Sequence, residues 1–217
     1  MQCPFCKEEI LDGAIKCKHC GSMIGTPPGR SAANGQSDFA DLFSAALNAW
    51  KSNMVDLIVL SLVFMLVVWI PIANIGFIAG YTRSLLKVAR GQGRAQVGDL
   101  FGAWDCFANL LVYLTLNLAA LVALHFVPFI GPVAAVALGF FVAPGMYAIV
   151  DNRKGVIEAY TWSFETIQAN FVDWLLAYLV ANVITCAGMI ALFIGIIVTA
   201  PLGALIFIQQ YEKVKPA

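Results

Sequence analysis

The chain has 217 residues, of which 60% are hydrophobic and 12% charged, with 13 basic residues against 13 acidic ones. A soluble domain carries about 25% charged residues. This deficit and a mean hydropathy of +0.81 exclude an ordinary soluble fold and place the chain among membrane proteins. Zero net charge gives no lean toward an acidic or a basic partner, so the information lies in where the charges fall.

The chain opens with charged, Cys-rich sequence and no apolar h-region of a cleavable signal. The first hydrophobic stretch, near Met54, is therefore expected to direct the chain to the membrane. Cys3-Pro-Phe-Cys6 and Cys17-Lys-His-Cys20 form two CxxC knuckles. Each presents two thiolates from a tight turn, and four thiolates make a closed tetrahedral site suited to one structural zinc. Pro4 stiffens the first turn, and Gly21 lets the chain leave the second with positive φ. So small a domain cannot bury a useful core, so the metal must supply most of its folding energy. An iron tetrathiolate of the rubredoxin type uses similar knuckles and stands as the alternative metal, disfavoured because the aromatic core of such a carrier is missing. His19 reads as an exposed knuckle residue. Lys7, Lys16 and Lys18 are offset by Glu8, Glu9 and Asp12, which argues against nucleic acid as a partner. Cys106 and Cys186, alone in apolar sequence, read as small core residues.

Residues 23–37, rich in Gly, Pro, Ser and Asn, predict a flexible linker. Residues 38–212 predict an all-α polytopic membrane domain. A crossing needs about 20 apolar residues for a hydrocarbon core of roughly 30 Å, and six candidate spans satisfy the pattern: 54–70, 72–88, 107–127, 129–150, 172–193 and 195–211. The second is weakened by Tyr81, Thr82, Arg83 and Ser84. Pro71, Pro128 and Gly188–Gly195 fall where hairpin turns are needed, and Pro144 and Pro201 are expected as kinks that neighbouring helices satisfy. Before each hairpin stands an aromatic, acid-led segment ending in Asn: Asp41–Asn53, Asp99–Asn109 and Glu158–Asn170. Three repeats of interfacial segment plus hairpin are therefore expected, with Asn53-Met-Val-Asp56 matching Asn170-Phe-Val-Asp173.

Every Lys and Arg falls on one side of this arrangement, and the three opposite turns contain none. The positive-inside rule puts that side, and both termini, in the cytoplasm. Arg83, Lys87, Arg90 and Arg94 are candidate contacts for anionic lipid headgroups, a reading compatible with their being the topology signal. Asp56 and Asp173 are a candidate intramembrane polar site for an ion or proton, weighed against anchoring at the cytoplasmic edge, which their shallow depth favours. Thr115, Asn117, Asn182 and Thr185 are the residues available to line a path, or to bond between helices. His125 near a turn is a candidate relay or a simple interfacial hydrogen-bond partner. There is no nucleophile–base pair, HExxH or phosphate loop, so no enzyme is expected.

Residues 3–22 resemble the short zinc-ribbon domain at the N-terminus of many bacterial membrane proteins. Gly80–Gly91 followed by Asp99-Leu-Phe101, and Asp151–Gly155 followed by Glu158-Ala159, are similar to bacterial polytopic families related to the membrane domain of glycerophosphodiester phosphodiesterases. The resemblance implies a multi-pass protein of the bacterial inner membrane, a membrane module without the catalytic domain. The function expected is a scaffold, adaptor or accessory subunit whose ribbon binds other proteins, self-association being compatible with it. A small transporter or channel regulated by the ribbon is the alternative.

Overall fold

The computed structural model describes residues 35–190 and 194–215. The expected ribbon, with Cys3, Cys6, Cys17 and Cys20, lies outside the described residues, as does most of the expected linker. Apart from Gly35, the described part belongs to the unit Gln36–Ala217. Its elements are α1 Gly35–Ser52, α2 Met54–Val67, α3 Ala73–Ala89, two 3-10 turns at Val97–Phe101 and Trp104–Cys106, α4 Phe107–His125, α5 Ile130–Asn152, α6 Val156–Ala169, α7 Phe171–Ile190 and α8 Ile194–Val214. No strand occurs among the described residues. The first helix starts at Gly35, inside the end of the expected linker.

Three stretches are long and apolar enough to cross a membrane: Val97–His125, Ile130–Asn152 and Phe171–Met189. Six crossings were expected, and the first two arms are the short ones. The 14 residues of α2 and 17 of α3 reach only about 21 and 26 Å. At the other end of α2, α1 joins it through a bend of 82°.

The three hairpins, α2–α3, α4–α5 and α7–α8, share one plan. Each first arm starts from a residue of similar backbone conformation: Asn53 (φ −124°, ψ 17°), Cys106 (φ −98°, ψ 5°) and Asn170 (φ −136°, ψ 47°). Four residues on stand Leu57, Leu110 and Trp174, and seven on stand Leu60, Tyr113 and Ala177, all six buried. This register corrects the one expected from sequence, which aligned Asn109 with Asn53 and Asn170. Cys106 is their counterpart, and Asn109 matches Asp56 and Asp173. The side chain of Asn53 does not cap α2 but turns back to the Ala49 carbonyl, 3.0 Å away. The position needs a backbone conformation rather than an amide, so Asn is not its mark.

The first two turns also agree. In Ile70-Pro71-Ile72-Ala73 the Ala73 amide donates to the Pro71 carbonyl (2.7 Å), and Ile72 has φ 67°, ψ −50°. In Val127-Pro128-Phe129-Ile130 the Ile130 amide donates to Pro128 (2.8 Å), and Phe129 has φ 65°, ψ −50°. These are γ-turns of the strained, positive-φ kind. Trp69 and Phe126 hold equivalent places before the prolines, and each is 79% exposed.

The core is apolar and aromatic. Trp174, Tyr178 and Tyr147 pack around Phe207 of α8, and Tyr147 against Tyr211. Close approach in one place depends on a missing side chain: a Cβ on Gly80 would lie 2.5 Å from the Asp99 and Leu100 carbonyl oxygens. Only glycine lets the first 3-10 turn lie directly on α3. The indole of Trp50 in α1 donates to the Val198 carbonyl in α8, 3.1 Å away, and so ties the first described helix to the last.

Candidate functional site

The densest polar constellation lies where the return arms α3, α5 and α8 end. Arg90, the residue that closes α3, forms a two-pronged pair with Asp151 at the end of α5 (Nη1–Oδ1 2.8 Å, Nη2–Oδ2 2.6 Å). The same guanidinium reaches Glu212 near the end of α8 (Nε–Oε1 2.8 Å). Tyr211 donates to Asp151 Oδ2 at 3.0 Å, and Lys215 closes on Glu212 at 2.8 Å. Side-chain exposure is 20% for Arg90, 13% for Asp151 and 19% for Glu212, so water screens these pairs only partly. The hydrogen bonds that Arg90 donates to Asp151 outweigh burial and hold it above the ordinary arginine pKa. Arg90 is therefore a permanent cation at the meeting point of three helices.

Two flanking groups extend the network. Arg83 bonds Asp105 in a fork (2.5 and 2.8 Å) and also donates to the Val150 carbonyl at 3.1 Å. Arg153, at the C-terminal end of α5 with φ 55°, reaches Asp105 as well, at 2.7 Å. A non-glycine residue in the left-handed region is strained by roughly 1 kcal/mol, and here the conformation aims the guanidinium at Asp105. Lys87 and Ser84 both bond Asp99 Oδ2, at 2.9 and 2.7 Å, and the Gln96 amide adds a third bond at 3.2 Å.

Three of the four expected lipid-contact residues, Arg83, Lys87 and Arg90, thus have their charge met by carboxylates of the same chain. Arg94 is exposed. The partner acids Asp99, Asp105, Asp151 and Glu212 were not paired with these bases from the sequence. The equal number of bases and acids was the available signal. Asp56 and Asp173 are not brought into one site by any described contact. Each sits in the first turn of its helix, α2 or α7, half-buried, where the helix dipole favours a negative charge. All four residues expected to line a path or bond between helices bond back to their own helices, and Asn117 in addition bonds the Tyr160 hydroxyl of α6. Thr115 donates to Leu111 O (2.7 Å), Asn117 to Tyr113 O (2.8 Å), Asn182 to Tyr178 O (2.8 Å) and Thr185 to Ala181 O (2.8 Å). His125 lies in the last turn of α4, edge-on to Phe126.

Among the described residues no group of three or more His, Cys, Asp or Glu could hold a metal. Cavities among the described residues have mostly apolar walls. One of about 380 Å³ is lined by Tyr81, Tyr147, Tyr178, Asn182, Thr185 and Phe207 among others. One of about 230 Å³ lies between α2, α3 and α8, with the mutually bonded hydroxyls of Ser61 and Tyr81 (2.9 Å) in its wall.

Among the described residues, fold and site together define a helical bundle with three stretches fit to cross a membrane and a knot of ion pairs joining the ends of α3, α5 and α8. No family model matches the chain, and the curated proteins and solved structures give no significant match either.

Proposed function

We propose that the chain is an integral membrane scaffold or accessory subunit of a membrane complex, carrying a cytoplasmic ribbon that docks a protein partner. The ribbon holds one structural zinc on Cys3, Cys6, Cys17 and Cys20, a four-thiolate donor set that suits zinc. The membrane is the bacterial inner membrane, both termini are cytoplasmic, and six arms enter the bilayer from that side in three hairpins.

The observation that supports this reading is the Arg90 knot. It binds the ends of three arms to one another, which suits a rigid platform better than arms that must slide or rock. The hydroxyls and amides of Thr115, Asn117, Asn182 and Thr185 support the same reading, because each already donates to the turn before it. The test is crosslinking in native membranes followed by purification and mass spectrometry, comparing the intact chain with the Cys3→Ser/Cys6→Ser variant. A defined partner captured by the intact chain and lost from the variant supports docking through the ribbon. The same partners on both forms would remove the ribbon from the function.

The threefold plan favours a second reading, since many transporters are built from internal repeats. Flux of candidate solutes into vesicles containing the purified chain tests it. Flux that depends on Asp56 and Asp173 would move the function to transport.

A further inference from the structure

The first hairpin is built like the second but is shorter, and both are fastened at the same end. Their turns are superposable by conformation at Pro71-Ile72 and Pro128-Phe129. Their return arms end on one another through the Arg90–Asp151 fork. From the turn to that fork, the stretch Ile72 to Arg90 is one helical turn shorter than Phe129 to Asp151. The entering arms differ in the same sense, 14 residues in α2 against 19 in α4. One turn is about 5.4 Å of helix. Tilting α3 could only lower the first turn further, because its length caps its reach at about 26 Å, below the roughly 30 Å of hydrocarbon. By the same measure the 23 residues of α5 reach about 35 Å.

The tip of the short hairpin is dressed for lipid. Trp69, Ile70 and Ile72 are exposed, and no charged residue lies between Asp56 and Arg83. Tyr81 of its return arm stacks on Phe64 of the entering arm at 4.6 Å and bonds Ser61.

We propose that α2–α3 is a re-entrant hairpin. It enters from the side of the ion-pair knot, turns at Pro71-Ile72 inside the far leaflet about one helical turn below the level of Pro128-Phe129, and returns. The acyl chains of that leaflet close over its tip, so the tip stays buried below the far headgroups on one flank of the molecule. This inference needs only that α4 and α5 cross the membrane. It does not depend on the ribbon or on any partner.

The test is a depth measurement on the full chain in vesicles of phosphatidylethanolamine and phosphatidylglycerol with 18-carbon chains. A nitroxide-bearing amino acid is incorporated at position 69 or, separately, at position 126, and its exposure to oxygen and to a water-soluble nickel chelate is compared. The label at 69 is expected to lie about 5 Å deeper than that at 126 and to be the less accessible to nickel. Labels at positions 72 and 129 give the same comparison if either first variant folds poorly. In vesicles with 14-carbon chains the label at 69 is expected to become accessible to nickel. Equal depth and equal nickel access for the two tips would overturn the proposal, as would a label at 69 that stays out of reach of nickel in the thin bilayer.

Discussion

Arg90 and Asp151, at the ends of two different hairpins, face each other through two parallel hydrogen bonds of 2.8 and 2.6 Å, with Glu212 of a third hairpin on the same guanidinium. One fixed cation therefore serves two carboxylates. Removing it leaves like charges facing each other in a poorly hydrated place, a larger loss than the pairs themselves contribute. The Arg90→Ala variant is expected to lose about 3 kcal/mol of stability, near the low end of the range for broken buried pairs. Arg90→Lys keeps the charge but not the fork, and should lose less. Adding Asp151→Ala to Arg90→Ala should restore part of the loss. Thermal unfolding in detergent of the single and double variants measures this, and strictly additive losses would show that the two residues are not coupled.

Gly80 and Gly98 offer a matched comparison. A Cβ at Gly80 collides with the backbone at Asp99 and Leu100, whereas at Gly98 nothing lies within 4 Å. Gly80→Ala is expected to cost about 2 kcal/mol through forced displacement of the 3-10 turn. Gly98→Ala should stay within about 0.5 kcal/mol of the parent. Unfolding midpoints of both variants decide it, and a Gly80→Ala protein as stable as Gly98→Ala would contradict the close packing of α3 on that turn.

The Trp50 indole bond to Val198 is the contact that fastens α1 to α8. Trp50→Phe keeps the ring's bulk and removes the donor, so the expected loss is about 1 kcal/mol. The sharper readout is local: amide hydrogen exchange in α1 should rise while that in α5 and α7 stays the same. Unchanged exchange in α1 would mean that this helix is held by its apolar face alone.

Asp56 and Asp173 separate anchoring from ion handling. In the first turn of a helix a carboxylate contributes about 0.3–1 kcal/mol through the dipole. The double variant Asp56→Asn/Asp173→Asn should fall by about that much per site in thermal unfolding. Its vesicles should show the same proton and cation permeability as the parent; a drop in permeability would restore the ion-site reading.

The proposed zinc site makes a separable prediction. Metal analysis of the purified full chain should give one zinc per chain. Cys3→Ser/Cys6→Ser should lose it while far-ultraviolet circular dichroism keeps the helical signal of the membrane unit. Iron in place of zinc would select the rubredoxin-type alternative, and no metal in the intact chain would remove the ribbon.

Hydropathy made the helical class and the membrane character legible, because a long apolar run with almost no charge has few other uses. The turns at Pro71 and Pro128 were legible for a local reason: proline in such a run marks where a helix cannot continue. The partners of Arg90 were not. Asp151 and Glu212 lie 61 and 122 residues away, and no local pattern encodes which arm ends meet. The repeat was half legible: aromatic segments before each hairpin were visible, but Asn109 drew the middle repeat out of register. What recurs at Asn53, Cys106 and Asn170 is a backbone conformation that several side chains can adopt. The self-bonding of Thr115, Asn117, Asn182 and Thr185 was likewise open, since a polar residue in an apolar helix can bond a neighbour or its own preceding turn.

The shared guanidinium also sets an order of events during biosynthesis. Glu212 is made 122 residues after Arg90, a delay on the order of ten seconds at ordinary translation speed. For the first half of that interval, until Asp151 is made 61 residues on, the first hairpin carries a cation with neither partner, and the set is complete only when Glu212 follows. The insertion machinery must therefore hold or solvate it until the later arms arrive. Ribosome stalling or truncation before Asp151 would leave an inserted hairpin with an orphan charge at its root, which a membrane quality-control protease could recognise as unfinished.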